Sequence, residues 1–120
     1  MTRTGAIVFS WGAPVRGREA AGMHVFGEAL EYYEEMSKEG HIIGHREYFD
    51  TAGTGGMMII EGLLPELYQL MQRDDYIRLQ NKASSIVEDF RSKLCAGGSD
   101  GTIQEMMGMY TETLSELGYM

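Results

Sequence analysis

The sequence predicts an α+β domain in which a four-stranded antiparallel sheet carries two main helices on one face and a third helix ends the chain. Apolar residues switch between alternation, typical of strands, and a period of about 3.6 residues, typical of helices, in the order βαββαβα. The length of 120 residues suits one domain, and no repeat, linker or low-complexity segment divides the chain. We therefore expect one domain over residues 1–120, with a C-terminal helix over residues 102–118.

The first half of the chain predicts a strand, a helix and a hairpin. GAIVFSW is rich in β-forming residues and predicts a strand over residues 5–11. Residues 19–38 have the period of an amphipathic helix that ends at Gly40. HIIGHREYFD and GGMMIIEG flank the glycine-rich TAGTGG, which is typical of a β-hairpin. The predicted buried stripe of the helix consists of Met23, Phe26, Ala29, Leu30, Tyr33 and Met36.

The second half predicts a broken helix, a fourth strand and a final helix. Pro65 suits the start of a helix over residues 65–85, which we expect to break near Asp74. SIVEDFRSKLCA alternates in the manner of a strand over residues 86–95. Thr102 and Glu105 have the spacing of a capping box. The apolar stripe predicted for this last helix consists of Ile103, Met106, Met107, Tyr110, Leu114 and Leu117.

The predicted sheet has a second face that needs a cover. Phe9, Trp11, Ile43 and Ile59, or their neighbours in the alternation, place apolar side chains on both sides of the strands. Soluble monomers rarely expose a large apolar face. A second copy of the sheet is the simplest cover, so we expect a homodimer. The last helix either shields part of this face or reaches across the dimer.

The charge of the chain argues against nucleic acid as a partner. Eighteen acidic and ten basic residues give a net charge of −8. Nucleic-acid binding depends on clusters of Lys and Arg, which such a surface lacks. No apolar run approaches the roughly 18 residues that span a membrane, so we expect no membrane partner. A single cysteine, Cys95, excludes an internal disulfide and suits the reducing cytoplasm.

GAPVRGRE, residues 12–19, imitates a phosphate-binding glycine loop because it follows a strand and opens a helix. The imitation fails in detail. Pro14 removes one N–H donor, Arg18 replaces the lysine, and Glu19 places a negative charge where a hydroxyl is needed. We therefore reject nucleotide binding. Arg16 and Arg18 are predicted instead to bind a carboxylate at the mouth of a ligand cavity.

His45 and Glu47 are the candidate catalytic pair, because the alternation of the second strand places both on one face. If they line a cavity, the imidazole acts as a base and the carboxylate orients it. The alternative is a structural pair at a sheet or dimer surface. We expect no metal site, because His41 and His45 would lie about 13 Å apart on a strand.

The candidate ligand cavity is lined by strand residues and by the two arginines of the glycine-rich loop. Met57 and Met58 are adjacent on a strand, so one of them faces each side of the sheet. No motif for a cofactor is present, and we expect none. The predicted cavity residues are Phe9, Trp11, Arg16, Arg18 and Met58.

The element order, together with FSWGAPVRGRE, ALEYYEEMSKEGHI and LMQRDDYIRLQNKASSIVEDF, resembles the dimeric α+β barrel group of ferredoxin-like proteins. Within it the chain is most similar to small uncharacterised bacterial proteins, and more distantly to YCII-like proteins and antibiotic-biosynthesis monooxygenases. The resemblance implies two sheets, one per subunit, that close a barrel around a small organic ligand.

The resemblance to YCII-like proteins implies a pair formed by His24 and Asp50, although the helical period places His24 on the face opposite the core stripe. Haem-degrading relatives bind iron through a histidine on the second helix, and residues 65–85 contain none.

Three functions follow as hypotheses. The favoured one is a small-molecule-binding or accessory protein with a ligand cavity in the dimeric barrel. The first alternative is a cofactor-free enzyme, YCII-like or monooxygenase-like, that uses a His/carboxylate pair. The second is a protein-interaction module, which would expose an apolar patch on the C-terminal helix.

Overall fold

The structure is a computed structural model that describes residues 2–120, and within that range it contains four β-strands and four α-helices. In chain order they are β1 (Thr4–Trp11), α1 (Glu19–Lys38), β2 (Gly44–Phe49), β3 (Gly56–Leu63), α2 (Leu64–Met71), α3 (Asp74–Ile86), β4 (Arg91–Ala96) and α4 (Asp100–Glu116).

The four strands form one sheet in the order β2-β3-β1-β4, and all neighbouring strands are antiparallel. Two of the connections cross over a neighbouring strand. One carries α1 between β1 and β2, and the other carries α2 and α3 between β3 and β4. This order is consistent with a ferredoxin-like fold, and it confirms the predicted α+β class with a four-stranded antiparallel sheet.

The core lies between one face of the sheet and helices α1, α2 and α3. Alternation along β1 turns Ile7 and Phe9 toward the helices, where both are buried. The ring of Phe9 has its centroid 6.2 Å from that of Tyr33 and 6.4 Å from that of Tyr76. Aromatic pairs at these distances bury large apolar areas and fix α1 and α3 over the strand.

Helix α1 has the predicted bounds, but its buried stripe differs from the prediction at its first turns. Tyr33 and Met36 are buried as expected, while Met23 is 79% exposed and Val25 is buried instead. Residues two apart on a helix point about 160° away from each other, so Met23 and Val25 cannot share a face. The prediction for Met23 was wrong because the stripe is centred nearer to Val25.

Strand β4 starts later than predicted, because residues 86–88 pair with another segment. Ile86 ends α3, and Val87 forms a β-bridge with Pro14 in the loop after β1. Asp89 then takes a positive φ of 53°, which interrupts the extended chain. The alternation predicted over residues 86–95 therefore corresponds to a helix end, a bridge and a turn before the strand. The predicted break near Asp74 is confirmed, since α2 ends at Met71 and α3 begins at Asp74.

Helix α4 is capped by Ser99 and not by the predicted capping box. The Ser99 hydroxyl accepts a hydrogen bond from the Thr102 backbone N–H at 3.3 Å. Thr102 is buried, and its hydroxyl accepts a hydrogen bond from the Thr4 N–H at 3.0 Å. Glu105 forms an ion pair with Arg3 and so is not free to cap the helix. These contacts attach the first turns of α4 to the start of β1.

Beyond its first turns α4 projects from the body, and most of the stripe predicted to be buried is exposed within this chain. Met107 is 64% and Tyr110 is 66% exposed. The radius of gyration is 16.7 Å, whereas a compact domain of this length has about 14 Å. A helix of this kind needs a packing partner to hold its order.

The sheet face opposite α1, α2 and α3 is called here the open face. Alternation and strand register place on it Ala6, Val8, Ser10, Arg46, Tyr48, Met57, Ile59, Glu61, Arg91, Lys93 and Cys95. Tyr48, Met57 and Cys95 are exposed. Within residues 2–120, no helix is both long and apolar enough to cross a membrane.

Candidate functional site

An open cleft of about 490 Å³ lies at one edge of the sheet, where β1 and β2 end and β3 begins. We call it the aromatic cleft. Its apolar lining comes from Trp11 on β1, Phe49 on β2, and Met23 and Phe26 on α1. The β1–α1 loop and the β2–β3 turn complete its walls. The cleft thus forms where two stretches of the chain, residues 11–26 and 49–55, meet Val87 of the α3–β4 connection.

Strand register explains why the aromatic side chains converge. Gly56 pairs with Trp11 on one side and with Phe49 on the other, so all three lie in one row across the sheet. Because Gly56 has no side chain, the Trp11 ring occupies the space above it; a Cβ there would lie 2.9 Å from Trp11 Cζ2. Phe26 from α1 covers the row, with ring centroids 5.0 Å from Phe49 and 6.1 Å from Trp11.

The aromatic cleft continues into an inner apolar cavity of about 80 Å³ between the sheet and helices α1 and α3. The two adjoin, because they share four lining residues: Trp11, Gly22, Phe26 and Val87. An engineered apolar cavity of about 150 Å³ holds a benzene molecule. The inner cavity is smaller than that, so it accepts only part of a ligand, whereas the cleft has room for a ring.

The β1–α1 loop forms one wall, and several of its backbone donors are already used. Gly12 N–H donates to the Glu88 carbonyl at 2.7 Å, and Val15 N–H donates to the Ile86 carbonyl at 2.9 Å. A phosphate site needs such N–H groups free and pointing at the anion. The paired backbone therefore supports the rejection of the GAPVRGRE segment as a phosphate loop.

The β2–β3 turn forms the opposite wall. Asp50 accepts hydrogen bonds from the Ala52 N–H and from the Thr54 hydroxyl, both at 2.8 Å. Both bonds hold the pKa of Asp50 below its usual range, and the bond from the Ala52 N–H has the larger effect. Gly55 passes so close to Trp11 and Gly12 that a side chain there would clash with their backbone. The turn therefore packs closely against the end of β1.

The predicted ligand-cavity residues fall into two groups. Phe9, Trp11 and Met58 all lie on the helix-covered face of the sheet and line the inner cavity. They are not on the open face, where a barrel closed by two sheets would hold its ligand. Arg16 and Arg18 are exposed and are not lining residues of the cleft, and Arg18 donates to the carbonyl of Ser85.

His45 and Glu47 are in contact, as the sequence predicts, but they lie away from the aromatic cleft. The Nδ1 atom of His45 pairs with Glu47, and its Nε2 atom lies 3.1 Å from a carboxylate oxygen of Glu34 on α1. Burial alone lowers the pKa of His45, but hydrogen bonds to Glu47 and Glu34 and their negative charges outweigh it, so the pKa is raised.

This environment suits a charged imidazolium and not a general base. Both ring nitrogens face carboxylates, and both donate only when the ring is protonated. A base needs a free nitrogen within reach of the substrate. Over residues 2–120, moreover, no group of three or more His, Cys, Asp or Glu side chains is arranged to hold a metal ion.

The pair implied by the YCII-like resemblance is not formed as a hydrogen-bonded dyad. His24 is exposed on α1, and the Asp50 carboxylate is occupied by its own turn. Sequence reasoning also missed Phe26, Phe49 and Met23 as cleft residues. The available signal was the position of Phe49 and Trp11, each at the last residue of a strand before a glycine-containing turn.

No family model, curated protein or solved structure significantly matches this chain. The sheet topology supports the ferredoxin-like part of the resemblance, and no match supports a YCII-like or monooxygenase relationship.

Proposed function

We propose that the protein binds a small apolar or aromatic molecule in the aromatic cleft. The observation that carries this proposal is the convergence of Trp11, Phe26 and Phe49 around an open space that leads into the core. Phe49 is 65% exposed although it contacts Phe26. Exposed aromatic surface of this kind is the usual lining of a ligand site, since burying it against a ligand is favourable.

Binding is favoured over catalysis because of which side chains line the cleft. Glu19 and Asp50 are its charged lining residues, and the Asp50 carboxylate is bound to its own turn. The alternative, a cofactor-free enzyme that uses His45 and Glu47, needs a free imidazole nitrogen facing a substrate. His45 has carboxylates at both nitrogens and is not a lining residue of the cleft.

We also propose that two copies associate through the open face to form a dimeric α+β barrel. Met57 and Tyr48 expose apolar surface there, and a second sheet would cover it. Charge complementarity supports a second copy as the occupant. Arg91 and Lys93 lie on the open face, whereas residues 99–120 carry four acidic residues and no basic one. The projecting α4 of one copy can therefore lie along the partner with favourable charge contacts.

A protein-interaction module remains the second candidate, and a specific observation favours it. Met107, Tyr110 and Leu117 expose an apolar stripe along α4. If that stripe binds a different protein, the chain will remain monomeric at micromolar concentration. If it belongs to the homodimer, light scattering after size exclusion will give twice the mass of one chain.

The binding proposal is tested with Nile red, a neutral dye whose fluorescence rises in apolar sites. We expect saturable binding at one site per chain. Phe49→Ala removes an exposed ring, so the fold should persist while affinity falls about tenfold, which is about 1.4 kcal/mol. Tyr68→Ala removes a ring that is 56% exposed on α2, away from the cleft, and serves as the matched control.

Equal affinity of the Phe49→Ala and Tyr68→Ala variants would show that the dye binds elsewhere, and the proposal would fail. Absence of saturable binding to the unaltered protein would refute it directly. Far-ultraviolet circular dichroism of each variant checks that the fold is retained.

A further inference from the structure

We infer that the natural ligand of the aromatic cleft is an organic cation, an amine or ammonium group attached to an aromatic or short alkyl body. This inference rests on the proposed function and adds the charge of the ligand. It follows from three features of the cleft: the sign of the charges around it, the absence of cationic partners for them within residues 2–120, and the aromatic faces beside them.

Carboxylates from two segments line the cleft, and one from a third segment lies close to its wall. Glu19 at the start of α1 and Asp50 in the β2–β3 turn both line the cleft. Asp89, in the α3–β4 connection, stands behind Gly12, with a carboxylate oxygen 3.7 Å from where a Gly12 Cβ would lie. Because the three segments are far apart in sequence, the fold itself brings these charges together.

These carboxylates are left without a positive partner among residues 2–120. Glu19 accepts a backbone N–H from Gly17, and Asp50 accepts two hydrogen bonds from its own turn. The ion pairs of the described chain involve other acids. The hydrogen bonds that lower the pKa of Asp50 keep it ionised at neutral pH. The opening therefore has a negative potential that a cation would neutralise.

The two nearby arginines do not reverse this sign. Arg18 donates a hydrogen bond to the carbonyl of Ser85, and Arg16 is exposed; neither is a lining residue of the cleft. Within the cleft itself, an anionic ligand would meet the carboxylates of Glu19 and Asp50 and neither guanidinium as a lining group.

The aromatic rings favour the same charge. A cation over the face of an indole or phenyl ring is attracted by the negative face of the ring, and tryptophan is the strongest of these partners. Trp11, Phe26 and Phe49 offer three rings close to the carboxylates. A ligand with a positive group at the rim and an apolar body against the rings would satisfy both features of the cleft.

The test uses three probes of nearly equal size and different charge: phenethylamine, 2-phenylethanol and phenylacetate. Each competes with Nile red for the aromatic cleft, and binding is also followed by the emission of Trp11, the single tryptophan of the chain. We expect phenethylamine to bind about tenfold more tightly than 2-phenylethanol, and phenylacetate to bind weakest. Raising the salt concentration from about 20 mM to about 500 mM should reduce the differences in affinity among the three probes, because salt screens the charges.

Variants locate the source of the preference. Glu19→Gln and Asp50→Asn should each lower the affinity for phenethylamine about threefold or more. The affinity for 2-phenylethanol should stay unchanged, because only the cation interacts with the lost charge. Glu19→Gln keeps the β2–β3 turn intact, so it remains informative if Asp50→Asn disturbs the turn. Glu31→Gln removes the same charge from an exposed position on α1 that does not line the cleft, and serves as the control.

The outcomes separate the two claims. If 2-phenylethanol binds at least as tightly as phenethylamine, the cation inference is overturned and the proposed binding function stands. If phenylacetate binds most tightly, the inference is also overturned, and Arg16 and Arg18 become the determinants. If neither Nile red nor any of the three probes binds, the proposed function fails and the inference falls with it.

Discussion

His45 illustrates how neighbouring residues decide what a side chain can do. Its position beside Glu47 follows from strand alternation, but Glu34 reaches the other ring nitrogen from helix α1. With one carboxylate the imidazole would resemble an oriented base. With two, it becomes a charged link between the edge strand β2 and the helix above it.

The pH dependence of stability tests this role. The pKa of His45 is raised in the folded protein, so its stabilising effect is complete below the unfolded value of about 6.5 and is lost as pH rises through the folded pKa. We expect His45→Gln to lower the urea midpoint clearly at about pH 5.5 and much less at about pH 9.

His24→Gln is the matched control for this experiment. His24 is exposed on α1 and has no hydrogen bond to another described residue. Its substitution should therefore leave unchanged the difference in urea midpoint between the two pH values. A His45→Gln effect that is equal at both pH values, or larger at high pH, would contradict the imidazolium assignment.

At the scale of elements, the aromatic cleft depends on a glycine between two aromatic residues. Gly56 in β3 leaves room for the Trp11 ring, and its Cβ would also approach the Tyr48 carbonyl. A Cβ at position 56 would clash with the Tyr48 backbone carbonyl as well as with the indole, so removal of the indole alone would not make room for a side chain. The glycine is therefore required by the packing of its neighbours and not by its own backbone angles.

Gly56→Ala should displace the indole and overpack this end of the sheet. We expect a loss of about 1–3 kcal/mol in unfolding free energy, a shift in Trp11 emission, and weaker Nile red binding. Gly44→Ala in β2 is the control, because a Cβ there meets nothing within 4 Å; we expect it to be neutral or slightly stabilising. Equal effects of the two substitutions would contradict the packing described for Trp11.

The elements that could be predicted from sequence are those held by local pattern. Helix α1 and strand β1 have long periodic stretches and clear ends at glycine or a turn, and both were predicted to within a residue. Strand β4 was not, because residues 86–88 alternate like a strand but pair with the loop containing Pro14. That pairing is a tertiary contact, which the hydrophobic periodicity of the sequence does not reveal.

The cleft was only partly predictable for the same reason. Trp11 could be named as a cavity residue from its position at a strand end. Phe49 has the same kind of position at the end of β2, but its contact with Phe26 could not be predicted, because that contact depends on the register that aligns Gly56 with two strands and on the packing of α1 over the sheet. The carboxylates of Glu19 and Asp50 come together only through the fold.

At the scale of the whole molecule, the open face and α4 leave apolar side chains exposed within one chain. Cys95, the single cysteine, lies on the open face and is exposed. If two sheets pack together, its thiol becomes inaccessible. Its reactivity therefore reports on the proposed dimer without any added label.

We expect the unaltered protein to be dimeric by light scattering and to react slowly with a thiol reagent. Met57→Lys places a charge on the open face and should yield monomers whose Cys95 reacts much faster. Tyr68→Lys places the same charge on α2 and should leave both the mass and the reaction rate unchanged. A protein that is monomeric with a rapidly reacting thiol would contradict the barrel.

The central claim, that the aromatic cleft binds a small molecule, is tested most directly by a ¹H–¹⁵N correlation spectrum recorded during titration with phenethylamine. The account predicts shifts of the Trp11 indole N–H and of backbone amides around Gly22, Phe26, Phe49 and Gly55, all of which saturate together. Shifts confined to the open face, at Tyr48 and Met57, or an unchanged spectrum at millimolar probe, would contradict it.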